Sequence, residues 1–155
     1  MIKAKSAFLY TGLFIISASL LMFEVLTTRA TKIAFGSNFQ FNILSLAVLG
    51  IGIGGMVVYF FMNSLLLNRV QNVLTISSVA YTILILLPFL VAPYHVAYPE
   101  ALIKTIFFVL SFAFYLVSGI YISLIFRYYS EDVSRLYFVT LIGSGTGSIG
   151  VLFLL

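Results

Sequence analysis

The chain has 155 residues, of which 63% are hydrophobic and 8% charged, with a formal net charge of +4 and a mean hydropathy of +1.20. Soluble domains are roughly a quarter charged, and a chain this short cannot hide so much apolar surface in one core, so lipid rather than water is the solvent it is built for. The absence of cysteine excludes a disulfide framework and thiolate metal sites, and eight thinly spread basic residues form no nucleic-acid face.

Five apolar spans follow in order. The first covers about 7–26, behind the basic start "MIKAK". It is longer than the apolar region of a signal peptide and ends in "FEVLTTRATK" without a convincing cleavage site, so it reads as a retained helix. The second covers about 41–67, enough at ~1.5 Å per residue to cross a ~30 Å hydrocarbon layer with tilt. "NRVQN", 68–72, reads as a tight polar turn, and Asn63, Asn68 and Asn72 mark this exit. The third span, about 73–91, is expected to stop at Pro88 and Pro93, which remove backbone donors. The loop "APYHVAYPE" places Tyr94, His95 and Tyr98 where aromatic residues favour the headgroup boundary. The fourth span covers about 101–126, and Arg127, Tyr128 and Tyr129 mark its exit. Ser130 suits an N-cap, with Glu131 and Asp132 in the first turn, so a fifth helix is expected over 131–155. The expected fold is an all-α, polytopic membrane helix bundle of about five transmembrane helices in a single domain.

"LIGSGTGSIG", 141–150, has two readings. As a strand–loop–helix junction it would be a nucleotide-binding glycine loop, but only five residues follow Gly150 and a helix start precedes it. On a helix, Gly143, Gly147 and Gly150 share one face at i, i+4 and i+7, beside Ser144 and Ser148. That is the small-residue spacing by which membrane helices approach closely. "LGIGIGG" repeats the theme with Gly50 and Gly54, next to Gly55. These five glycines, Gly50, Gly54, Gly143, Gly147 and Gly150, are expected to pack helices, and no cofactor is expected.

Charged groups inside a bilayer are costly and are candidates for function. Glu24 is the only acid well within an apolar span, and Arg29 is its obvious partner. Five residues apart, they point about 140° away from each other on a regular helix, so pairing needs a break near "LTTR" or a neighbouring helix. A buried carboxylate here would bind a cation, a proton or a polyamine. An interfacial ion pair or cap that fixes the turn into the next helix is the plainer alternative. His95 has no second histidine or carboxylate at ligand spacing and reads as interfacial, so no metal site is expected. Lys104 and Arg127, near helix ends, are expected to reach toward the headgroups. The tyrosines along the spans, Tyr81 and Tyr115 among them, show no stripe and read as packing or boundary residues.

"FEVLTTRATKIAFGSNFQFNILSLAVLGIGIGG" resembles the start of the membrane domain of transmembrane spermidine synthase-like proteins, also described as fused major-facilitator/spermidine-synthase proteins. Their pattern is a Glu near the end of the first helix, an Arg five residues on, a Gly seven after that, and a second helix that ends rich in glycine. Glu24, Arg29, Gly36 and Gly50 to Gly55 stand at those positions. "SRLYFVTLIGSGTGSIG" is similar to the family's "GRLYAADLLGAALGALL", through Arg135, Leu136, Tyr137, Gly143 and Gly147. The middle of the chain matches only in hydropathy. Thr140 stands where the family usually has an acidic or amide residue, so the chain departs from the family's pattern at that position. The family's aminopropyltransferase-like domain is absent from these residues. The resemblance therefore implies a relation to polyamine chemistry that no residue here can perform, and whether an enzyme results depends on what accompanies this chain.

Two function classes remain. One is a membrane scaffold or assembly subunit, whose partners are the bilayer and other membrane helices or subunits. The other is a domain that binds or moves a cationic solute through Glu24 and Arg29. Placement is expected in the bacterial inner membrane, with the N-terminus cytoplasmic. Lys3, Lys5, Arg69, Arg127 and Arg135 then lie inside and Arg29, Lys32 and Lys104 outside. "IGVLFLL" ends without a basic or aromatic anchor, so the chain is expected to be part of a longer one or a subunit covered by a partner.

Overall fold

In a computed structural model the described residues, 2–61, 70–96 and 99–154, are almost wholly helical. Five α-helices follow one another: α1 (Ile2–Phe35), α2 (Gln40–Phe61), α3 (Val70–Val91), α4 (Glu100–Tyr128) and α5 (Val133–Leu154). Each is long and apolar enough to cross a membrane. Their apolar character extends round the whole circumference, as it does in helices with lipid on one side and protein on the other.

Several boundaries differ from the sequence expectation, each for a local reason. The first helix runs nine residues beyond Leu26, because "TTRATKIAF" contains neither Gly nor Pro to stop it. It ends at Gly36, whose φ of +93° and ψ of 165° an L side chain rarely adopts. One 3-10 turn, Ser37–Phe39, then leads straight into α2. "NRVQN" is not wholly a turn, since Val70, Gln71 and Asn72 already form the first turn of α3. Residues 62–69, with Asn63, Asn68 and Arg69, lie outside the described residues. Pro88 does not stop α3 and sits inside it, as prolines in membrane helices do when their surroundings satisfy the freed carbonyl. A 3-10 turn over Ala92–Val96, which contains Pro93, ends the helix instead. Ser130 does not cap α5. Ser130–Asp132 form a 3-10 turn after Tyr129, without a side-chain cap, and α5 begins at Val133.

The chain packs as two compact units. One comprises Met1–Leu26 and Ile125–Leu155, and the other Thr27–Leu124. In the first unit α1 and α5 run parallel: Gly143 lies against Phe14 and Ser17, Gly147 against Ala18, and Gly150 beside Met22. Leu13, Phe23, Leu136 and Val151 are buried there. In the second unit α4 is the central element. Its span has the largest buried share of the five, 39%. It runs antiparallel to the end of α1, with Phe35 against Phe107 and Thr27 against Tyr115. It runs parallel to α2, through Gly50 and Gly54, and antiparallel to α3, through Tyr81 on Phe114. Val58, Val70 and Leu124 close one end of this unit.

Candidate functional site

The glycines fall into distinct roles once their neighbours are visible. A Cβ on Gly54 would stand 2.6 Å from the Leu116 carbonyl oxygen and 2.7 Å from the Ile120 nitrogen. On Gly50 it would meet Tyr115 Cβ at 2.7 Å. Facing them is Gly119, where a Cβ would stand 2.7 Å from Ile51 Cα, so α2 and α4 touch backbone to backbone. Gly143 and Gly147 do the same for α1 and α5: their Cβ atoms would stand 2.7 Å from the Phe14 carbonyl oxygen and 2.9 Å from Ala18 Cα. Gly150 is looser, with only Met22 Cε at 4.0 Å. Gly119 was not singled out by sequence, although Ser123 stands four residues on at the same small-residue spacing. The glycine faces of α2 and α5 are thus engaged within the chain itself.

Glu24 and Arg29 both lie on α1, which continues unbroken through 24–29. The break near "LTTR" is absent, so the helix turns the two side chains about 140° apart. Glu24 is half-buried and Arg29 is exposed. This leaves Glu24 as a carboxyl group within an apolar span, positioned by α1 independently of Arg29. His95 lies in the 3-10 turn Ala92–Val96, and Tyr98 lies outside the described residues. Among the described residues no three His, Cys, Asp or Glu side chains come together as metal ligands.

Lys104 does more than reach outward. Its Nζ lies 4.0 Å from the Phe39 ring centroid and 5.6 Å from that of Phe35. Phe35 packs edge-on against Phe107, and Phe39 stands beside Phe108. The ammonium therefore seats on aromatic faces that join the end of α1 to the start of α4, a contact worth ~0.5–2 kcal/mol depending on desolvation.

A feature not recognised in the sequence is a stripe of buried hydroxyls in the second unit. Thr27 and Thr31 on α1, and Ser111, Tyr115 and Ser118 on α4, are all fully buried. The Thr27 and Tyr115 hydroxyls are 3.3 Å apart. Thr31 donates to the Thr27 carbonyl at 2.6 Å and Ser118 to the Phe114 carbonyl at 2.7 Å. Ser111 Oγ has no partner. The signal was present: Thr27 and Thr31 are four apart, and Ser111, Tyr115 and Ser118 follow at i, i+4 and i+7. Only the antiparallel pairing of α1 with α4 turns two unremarkable rows into one stripe. Hydroxyls can orient a polar group or bind helices together, but none of them exchanges a proton readily near neutral pH.

Compared with known proteins, the chain matches no family model, and no curated protein or solved structure matches it.

Proposed function

We propose that this chain is a membrane scaffold or assembly domain of the bacterial inner membrane, related to the membrane part of spermidine synthase-like proteins, with its N-terminus in the cytoplasm. The observation that carries this reading is the pair of glycine seams. Backbone contact between α2 and α4, and between α1 and α5, makes each unit a framework of closely fitted helices. Because the glycine faces are used internally, partner helices must dock on the apolar outer faces, which carry Val48, Leu86, Leu141 and Phe153. The motifs around Glu24, Gly36 and "SRLY" support the family relation and come from the sequence alone.

The test is mild-detergent isolation from native membranes, with intact-mass analysis and identification of stoichiometric companions. The scaffold reading expects a partner protein or a linked aminopropyltransferase-like domain. Recovery of a solitary chain with neither would reject it. A second reading rests on Glu24, a carboxyl half-buried in an apolar helix: the domain binds a cationic solute such as a polyamine. It requires Glu24→Gln to abolish spermidine binding by the purified protein while thermal stability stays unchanged. Retained binding, or no binding by the parent protein, removes it.

A further inference from the structure

We propose that the groove between α1 and the start of α5 seats one phospholipid with an anionic headgroup. The groove has a volume of about 410 Å³ and is lined by Tyr10, Ser134, Arg135, Phe138 and Val139, all in the unit that α1 forms with α5.

Its origin lies in the helix seam. Gly147, Gly143, Val139 and Arg135 form one row on α5 at intervals of four, so they lie on nearly the same face. Where the row is glycine the α1 backbone rests on it, at Ala18 and Phe14. One turn nearer the start of α5 the row becomes Val139, whose side chain needs more room between helices than a glycine does, and Tyr10 of α1 lines the groove with it. The space so opened is walled by Phe138, Val139 and Tyr10. At its outer end stand Arg135 and Ser134, and helical side chains lean toward their own N-terminus, which carries the guanidinium outward past the apolar wall. A groove that is apolar along one wall and carries a cation and hydroxyl-bearing residues at one end matches a phosphodiester with an acyl chain attached.

Charge complementarity selects an anionic lipid. The arginine side chain is 77% exposed, and its contact with Asp132 is 3.5 Å long. An exposed pair of this kind is weak, and a guanidinium has five N–H donors, so a phosphate can bind beside the carboxylate. Planar fork geometry makes arginine well suited to phosphate oxygens. Among the residues that line the groove, Arg135 carries the charge, and it is positive. A zwitterionic headgroup brings its own ammonium beside that guanidinium and gains less from it than an anionic one does.

The decisive experiment incorporates the purified chain into nanodiscs of equal phosphatidylglycerol and phosphatidylcholine, then counts retained lipids by native mass spectrometry after mild detergent release. One phosphatidylglycerol per chain is expected. Arg135→Gln is expected to lower its retention about tenfold, the scale of one charge-assisted contact. Arg127→Gln, at the same membrane boundary, is expected to leave it unchanged. Val139→Trp keeps every charge and fills the groove, so it is expected to expel the lipid as well, and it decides the matter should Arg135→Gln not fold. Added inorganic phosphate should not displace the lipid, because the acyl wall contributes to binding. Equal retention of the two lipids, an Arg127→Gln loss as large as that of Arg135→Gln, unchanged retention in Val139→Trp, or displacement by inorganic phosphate would each overturn the proposal.

Discussion

At the scale of single residues, the glycines sort by what lies opposite them. Gly54→Ala and Gly147→Ala place a methyl group against backbone that cannot swing aside, and each is expected to cost about 1–3 kcal/mol as overpacking. Gly52→Ala and Gly145→Ala meet nothing within 4 Å and should leave stability unchanged or raise it by up to about 1 kcal/mol through helix propensity. Thermal melts of the four variants in one detergent check this, and equal melting temperatures would contradict the seams. Ser111 gives a prediction of opposite sign. Its hydroxyl is buried without a partner, so Ser111→Ala removes an unpaid desolvation penalty of about 1–3 kcal/mol and should raise the melting temperature. Tyr115→Phe, which removes the hydroxyl contact with Thr27, should instead lower stability by about 0.5–1.5 kcal/mol. The spacing of Gly143 and Gly147 was legible in the sequence. The roles of Gly119 and Ser111 were not, because the close contact of one with Ile51 and the burial of the other arise only once the helices pack.

At the scale of elements, existence and order follow from hydropathy, whereas ends follow from local chemistry. All five spans lie within the five observed helices, apart from the stretch of the second that falls in 62–69 and, in the fifth, its final residue and Glu131 and Asp132, which belong to a 3-10 turn. Pro88 misleads because the rule that proline ends a helix holds in water, where a freed carbonyl has an alternative in solvent. Ser130 misleads because a capping residue needs the next turn to be α-helical, and here that turn is 3-10. Gly36 is the element boundary with the clearest cause. Its backbone lies in a region reserved for glycine, although no atom crowds the place of its missing Cβ. Gly36→Ala should therefore cost about 1–3 kcal/mol, by strain alone. A chemical-unfolding comparison in mixed micelles measures it, and a cost below a few tenths of a kcal/mol would mean that the turn re-forms with another geometry.

At the scale of the whole molecule, the distribution of apolar surface separates lipid from protein. Leu13, Ile43 and Phe107 are completely buried, while Val48, Leu86 and Ile149 are more than half exposed. The chain has no cysteine, so single cysteines with nitroxide labels can be placed without background. In a bilayer, labels at 48, 86 and 149 should collide freely with dissolved oxygen, and labels at 13, 43 and 107 should be shielded. If a partner covers one outer face, its labels become shielded only in the native assembly, which ties this measurement to the proposed scaffold role.

Composition and hydropathy by themselves determined that the described residues form five helices long and apolar enough to cross a membrane, because the bilayer imposes span length and apolar content on each helix separately and no long-range contact is needed to read them. They also marked Glu24 as a costly charge and the glycine rows as packing faces. Which face meets which helix was decided only by tertiary structure. The seam of α2 with α4, the hydroxyl stripe between α1 and α4, and the groove at Arg135 all join residues far apart in the chain. Lipid supplies no hydrophobic drive to choose among apolar faces, so close backbone fit makes that choice, and fit exists only between two surfaces already placed side by side.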